Sequence, residues 1–265
     1  MNISGTRPGY KGFGGGEKQH PAKKRRRVVC ITLGALLLVC VTAGLILLKK
    51  ININQYFLAG YPVRGVDVSH YQGEIHWRQM KEQGVDFAFI KATEGSSYVD
   101  ERYEENRENA QAAGIYVGVY HFFSFDSPPA SQAAHFIATA GDMSGLLPPV
   151  VDIEYYGDKQ HNPPEKAEAV SGLQELLDAL EQEYGVKPII YTTYTVYNKY
   201  IRGGFEAYPL WIRNVYYPPV DIGRQWTFWQ YSDTGRLQGT GGEEKYVDMN
   251  VFRESREELE ALLIP

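Results

Sequence analysis

Val28 to Leu48 is a run of 21 residues without a single charge. At ~1.5 Å per helical residue it reaches ~31 Å, about one hydrocarbon thickness, which no ordinary element of a small soluble fold needs. A buried core helix is rarely this long, and rarely bounded by Lys23-Lys24-Arg25-Arg26-Arg27 on one side and Lys49-Lys50 on the other. The run reads as a single-pass membrane anchor. Eight Lys/Arg precede it and two follow closely, so the positive-inside rule predicts a cytoplasmic N-terminus and an extracytoplasmic C-terminal portion. A cleaved signal peptide would show a shorter apolar core and a small-residue cleavage site, and Thr42-Ala43-Gly44 lies inside a run that continues to Leu48. Lipidation at Cys40 is excluded because Val39 stands where a small residue is required.

The run also divides the charge. The first 50 residues hold ten Lys/Arg and one acid, so the overall −5 leaves −14 on the other 215. The expected organisation is a disordered basic cytoplasmic tail (1–27), the anchor (28–48), a linker (49–62) reaching at most ~50 Å if extended, and one globular domain (63–265). The basic cluster beside an apolar run suits anionic lipid, and the acidic domain argues against a nucleic-acid partner. Both cysteines, Cys30 and Cys40, lie within the run. The exported domain therefore has no disulfide, no Cys-ligated zinc and no cysteine nucleophile.

From Arg64 onward, eight short apolar runs alternate with polar or amphipathic segments: 64–69, 85–92, 114–123, 148–156, 187–194, 208–215, 226–232 and 246–252. The first five are nearly continuous in Val, Ile, Phe and Tyr, as in strands buried on both faces, and helical patterns over 100–113, 130–139 and 165–183 separate several of them. This is a parallel α/β pattern. After Tyr208 the connections are too short and too rich in Gly and Pro for a full helix each. The expected fold is a modified (β/α)8-like barrel with reduced helices in its C-terminal half, preceded by one transmembrane helix.

Active sites of such barrels form at the C-terminal strand ends, which gives weight to acids there. A single acid is ordinarily solvated or caps a helix. Asp67 in Val66-Asp67-Val68, Asp152 and Glu154 in Val150-Val151-Asp152-Ile153-Glu154, and Asp248 in Val247-Asp248-Met249 instead interrupt apolar strands, where an idle buried charge is costly. Asp152 and Glu154, at i and i+2, share one face of a strand, with Val151 and Ile153 turned to the other. Two facing carboxylates repel, so the less solvated one holds its proton to higher pH and can act as a general acid. Glu154, longer and nearer the strand end, is assigned that role.

These residues fall into a wider pattern. Gly65-Val66-Asp67-Val68-Ser69 with Tyr71-Gln72, Phe89-Ile90-Lys91-Ala92-Thr93-Glu94-Gly95, Gly118-Val119-Tyr120-His121-Phe122, Asp152-Ile153-Glu154, Trp229-Gln230-Tyr231 and Val247-Asp248-Met249-Asn250 together resemble the glycoside hydrolase family 25 lysozymes. The resemblance runs from about Arg64 to Phe252. It implies a partly helix-depleted barrel that hydrolyses the β-1,4 bond between N-acetylmuramic acid and N-acetylglucosamine in peptidoglycan strands, with Glu154 as acid/base, Asp152 as its partner, and Asp67 and Asp248 completing an acidic floor. The charged turn Gly239 to Tyr246 looks longer than the family's and bears on the cleft edge.

Pyranose faces stack on aromatic rings while hydroxyls find polar partners. Tyr120, Tyr191 and Trp211 are the candidate sugar contacts, with Gln230 as a hydrogen-bonding neighbour. Glu94 is a further candidate, and Lys91 or Arg102 could instead tie it to a loop. His70, His121, His135 and His161 show neither HxxxH nor HExxH spacing, and His121 suits a hydrogen-bonded core role. No metal or other cofactor is expected, and no Gly-x-Ser-x-Gly elbow or phosphate loop occurs. The catalytic domain is expected to be monomeric. Substrate-assisted retention is the working mechanism, giving a β-configured first product. Two other readings are a wall-binding module that has lost catalysis and a chitin-type N-acetylhexosamine hydrolase.

Overall fold

The structure is a computed structural model that describes Met1, Gly5, Gly9 and every residue from Pro21 onward except Glu243. The expected disordered tail therefore falls mostly outside the described residues, while its last part, 21–27, is helical. The chain separates into two units, 1–48 and 49–265. The first contains helix α1 (Pro21–Leu47), whose stretch Lys24–Leu47 holds an 18-residue window of mean hydropathy 2.6 and is long and apolar enough to cross a membrane.

The second unit begins where a linker was expected, and it differs from that expectation. Ile53–Gly60 forms a 3-10 helix packed on the barrel, with Asn54 and Leu58 buried. Asn54 Nδ2 donates to the carbonyls of Asn214 (3.0 Å) and Tyr231 (2.9 Å), and the Tyr61 ring centroid lies 5.1 Å from that of Trp226. Buried hydrogen bonds from the Asn54 amide and apolar contacts hold down a segment whose sequence looks like a spacer.

The barrel strands follow: β1 (Arg64–Val68), helix α2 (Trp77–Glu82), β2 (Phe87–Glu94), a short β3 (Tyr98–Val99), α3 (Tyr103–Ala112), β4 (Tyr116–Phe122), α4 (Pro129–Ala140), β5 (Val150–Ile153) and α5 (Lys166–Tyr184). Then come β6 (Ile189–Thr193), a single turn α6 (Tyr194–Val196) running into a π-turn, β7 (Leu210–Arg213), β8 (Phe228–Gly235), β9 (Val247–Phe252) and α7 (Arg256–Glu260). All eight expected strands form. Hydrogen-bonded neighbours run β1-β9-β8-β7-β6-β5-β4-β2, and pairing of β1 with β2 closes the ring, while β3 only extends β2 as a hairpin. The helices thin out after β6, as the short connections predict.

One strand corrects the all-parallel reading. β9 is antiparallel to both β1 and β8, whereas the other barrel pairs are parallel. The hydrophobic alternation of a strand is the same read in either direction, so sequence pattern could not give this. Reversal puts the beginning of β9 at the mouth where the other strands end.

Two apolar layers support the ring. Outward residues such as Val66, Ile90, Val119, Val151, Ile153 and Ile190 pack against the helices, and α5 answers with Ala169, Leu173, Leu176, Leu177 and Leu180 on one helical face. Inward residues Phe87, Phe89, Val150, Ile189, Trp211, Phe228 and Phe252 fill the barrel. Gly65 and Gly118 are neighbours of Phe87 and Phe89 across the sheet. A Cβ on Gly65 would lie 2.4 Å from the Phe87 ring, and one on Gly118 2.5 Å from the Phe89 ring. Those two glycines make room for the rings that plug the barrel beneath its mouth.

Candidate active site

Above that plug the inward rows turn polar. In β5, Val150 and Asp152 continue one inward row, and Glu154 follows just past the strand end. In β1, Asp67 follows Gly65, and in the reversed β9, Asp248 is the second residue and pairs directly with Asp67. A cleft of about 220 Å³ opens there, lined by Asp67, Ser69, Tyr71, Lys91, Tyr120, Phe122, Asp152, Glu154, Tyr191, Trp211 and Asp248. A larger groove of about 710 Å³ runs along α5, but its acids Glu175 and Asp178 sit on one exposed helix face, away from the strand ends.

Of the nine residues singled out in the sequence, seven line this cleft. Gln230 lies beneath it: its Nε2 donates to both oxygens of Asp67 (3.1 and 3.3 Å) and its Oε1 accepts from the Tyr191 hydroxyl (2.8 Å). Glu94 is outside the lining and forms an ion pair with Lys91 at 2.6 Å, the loop-tying alternative. Asn250 Nδ2 donates to Asp67 at 2.6 Å while its Oδ1 accepts from Trp211 Nε1 at 2.8 Å. Trp211 is only 2% exposed and stacks on Phe89, with ring centroids 4.4 Å apart. Trp211 and Tyr191 thus form the floor and offer little ring face to a ligand, because the barrel interior is narrow enough for them to pack on each other. Tyr71, 64% exposed at the rim, presents more aromatic surface.

Burial pushes the Asp67 carboxyl well up, reinforced by the charge of Asp248 and opposed by the Asn250 and Gln230 amides. Asp248 rises to about 6, chiefly from burial, with Arg213 opposing. Burial raises Asp152 well above the usual carboxylate range, the charge of Glu154 adds to it, and Lys91 opposes. Glu154 is raised too, again by burial first, with Arg213 and Lys91 holding it down and Asp248 pushing it up. In the open cleft Asp152 is the buried member of the pair and Glu154 is half-buried. The less solvated acid is therefore Asp152, the reverse of the order inferred from strand position. Burial also raises the Tyr120 and Tyr191 hydroxyls, which stay protonated and available as donors.

Lys91 and Arg213 are the cations that sequence reasoning missed. Both extend inward rows, Phe87-Phe89-Lys91 and Trp211-Arg213, by the same two-residue step that marked the acids. His121 has the expected core role: Nδ1 is 2.8 Å from Thr93 Oγ1, Nε2 is 3.0 Å from Gln132 Oε1, and burial lowers its pKa to about 4. The charged turn before β9 lies against the loop after β1, with Gly241 N donating to Glu74 O (2.8 Å) and Gly242 N to Gln72 O (2.8 Å). Its Glu243 is outside the described residues.

Residues 66–240 match the family model described as glycosyl hydrolases family 25. Asp248 lies past that span and joins the site through β9. Lysozyme M1 of Streptomyces globisporus is 37% identical over 217 residues, covering 76% of this chain and 71% of that protein. A family 25 glycosyl hydrolase from Bacillus anthracis superposes with a TM-score of 0.72 at 44% identity, covering 76% of this chain and 93% of that one. The bacterial lysozyme from Streptomyces coelicolor gives 0.70 at 36% identity, with 76% and 96% covered. A closed barrel with acids converging at one mouth, matched along most of its length to these enzymes, makes this chain a glycoside hydrolase belonging to family 25, the family of these lysozymes.

Proposed function

We propose that this lysozyme-family hydrolase cleaves the β-1,4 bond between N-acetylmuramic acid and N-acetylglucosamine of peptidoglycan, with Glu154 as general acid/base and Asp152 as its partner. Residues 28–48 hold it in the membrane, with the N-terminus cytoplasmic and the barrel outside. The observation that carries the chemistry is Asp152 Oδ1, a buried acceptor in the cleft lining that has no hydrogen-bond partner among the described residues. A bare buried carboxylate oxygen is costly, and a substrate N–H would satisfy it.

A 2-acetamido group supplies such an N–H. When it donates to Asp152, the ionised form of Asp152 is stabilised, and the sugar that covers Glu154 removes water from it and favours its protonated form. The proton shared by the pair thus moves to Glu154 as the cleft fills. Glu154 then protonates the glycosidic oxygen while the acetamido oxygen attacks the anomeric carbon and the old C–O bond breaks. Ionised Asp152 steadies the positive charge that develops on the acetamido group. Glu154, now a base, takes a proton from water as the water oxygen attacks the anomeric carbon from the face the leaving group left and the bond from that carbon to the acetamido oxygen breaks, which restores the β configuration. Protonation of this kind contributes ~10²–10⁴-fold in rate.

The test is digestion of peptidoglycan by the purified chain beside Glu154→Gln, with mass spectrometry of the released muropeptides and NMR of the first product. Muramic reducing ends of β configuration, lost in Glu154→Gln, are expected. Equal turbidity loss by both proteins refutes the Glu154 assignment, and an α-configured product refutes retention. Binding without release by either protein identifies a wall-binding module, and cleavage of chitin oligomers alone identifies another N-acetylhexosamine hydrolase. Resistance to alkaline carbonate extraction checks the anchor.

A further inference from the structure

Arg213 closes β7 and continues the inward row begun by Trp211, which brings its guanidinium to the carboxylate cluster. A long cation at a strand end needs fixing if its field is to be constant. Part of that fixing comes from the segment that follows the apolar helix. Arg213 Nη2 donates to Asp233 Oδ2 at 2.6 Å, and the same oxygen receives Lys49 Nζ. One residue beyond Arg213, the Asn214 carbonyl accepts from Asn54 Nδ2 (3.0 Å) and Trp229 Nε1 (2.9 Å). Asn54 is fully buried, and the Asn52 side chain accepts from its backbone N–H at 3.0 Å. Lys49 also stands over the Tyr216 ring, 5.9 Å from its centroid.

We infer that Lys49–Gly60 is a positioning element of the catalytic cleft: Lys49, through Asp233, and Asn54, through the Asn214 carbonyl, hold Arg213 against the carboxylates. These residues precede the span that matches the family model. The inference deepens the glycosidase reading and rests on it.

The groups that face one another are defined. Glu154 feels Arg213 and Lys91 against Asp248. Asp248 feels Arg213 and Lys49 against Asp233, and hydrogen-bonds Asp67. Asp152 feels Glu154, Asp67 and Glu94 against Lys91, and Tyr191 stands beside Arg213. Loss of the Lys49 charge acts twice in one direction. It removes a cation from the field of Asp248, and it leaves Asp233 with Arg213 alone, drawing the guanidinium away from Glu154. Both changes favour protonated carboxyls, so both limbs of a bell-shaped pH profile move to higher pH.

The experiment uses the full chain in detergent and measures kcat/KM against pH on solubilised peptidoglycan for wild type, Lys49→Arg and Lys49→Ala, with melting temperatures alongside. For Lys49→Ala both limbs should rise by about half a pH unit, the effect of one charge on the order of 10 Å away in a medium between protein and water. The shift should shrink at high salt, and Lys49→Arg should retain the wild-type profile. A Lys49→Ala profile that superimposes on wild type overturns the inference. So does a uniform loss of rate with unmoved limbs, the mark of a purely structural role. Failure of the wild type to release muramic ends sinks the glycosidase reading itself, and the inference with it.

Discussion

Replacing Asp248 with asparagine should make the protein more stable and less active. In the folded barrel the Asp248 carboxyl lies at about 6 instead of the ordinary 3.8, with burial the largest cause. A carboxyl whose pKa is higher folded than unfolded binds its proton more tightly in the folded state. Its favourable contribution is complete below pH ~4 and is lost as pH rises through about 6. A difference of roughly two pH units corresponds to ~3 kcal/mol of stability forgone at about pH 8. Asparagine keeps the shape and leaves an oxygen to accept from Asp67. It deprives Arg213 of one neighbouring charge, but the 2.6 Å pair with Asp233 persists, so a net gain of ~1–3 kcal/mol is the expectation. At ~2–4 °C per kcal/mol for a domain of this size, the melting temperature should rise by several degrees. Urea denaturation of both proteins at about pH 8 and about pH 4.5 measures it. The gap should be full at the higher pH and fall to about a third of that at the lower. A variant less stable than wild type at about pH 8, or a gap that ignores pH, refutes the argument that burial of Asp248 strains the native state.

Two further outcomes follow from the packing around the cleft. Gly118→Ala should cost ~1–3 kcal/mol in urea denaturation, because its Cβ would meet the Phe89 ring at 2.5 Å. Asn250→Ala removes a donor from Asp67 and the acceptor of Trp211 Nε1, so the Asp67 pKa should rise further; carboxylate NMR titration should show this together with a fall in kcat.

The acids were legible in the sequence because charge is expensive inside an apolar strand, and Asp67, Asp152 and Asp248 each interrupt one. The i, i+2 step that paired Asp152 with Glu154 also held. Their relative exposure was not legible, since it depends on how deep the barrel mouth is at β5. Lys91 is legible in the sequence only as a partner for Glu94, and Arg213 not at all, because a long basic side chain ordinarily reaches water; only the row behind each, Phe87-Phe89 and Trp211, shows that it turns inward. Residues 49–62 read as a spacer because the amide of Asn54 finds its carbonyl partners at Asn214 and Tyr231, some 160 or more residues away, and no local pattern encodes such a pairing. Trp211 was read as a sugar platform from its place near a strand end, and the narrowness of a ring plugged by Phe89 and Phe228 makes it floor instead.

The reversal of β9 has a consequence for how this scaffold can change. Strands β8 and β9 form a hairpin whose turn opens on the same rim as the carboxylates, so residues inserted there need no new crossover helix. Doubling the length of such a turn costs only ~0.6 kcal/mol in closure entropy. Lineages could therefore reshape the wall beside a long polymer by lengthening one hairpin tip, leaving the wheel of strands untouched.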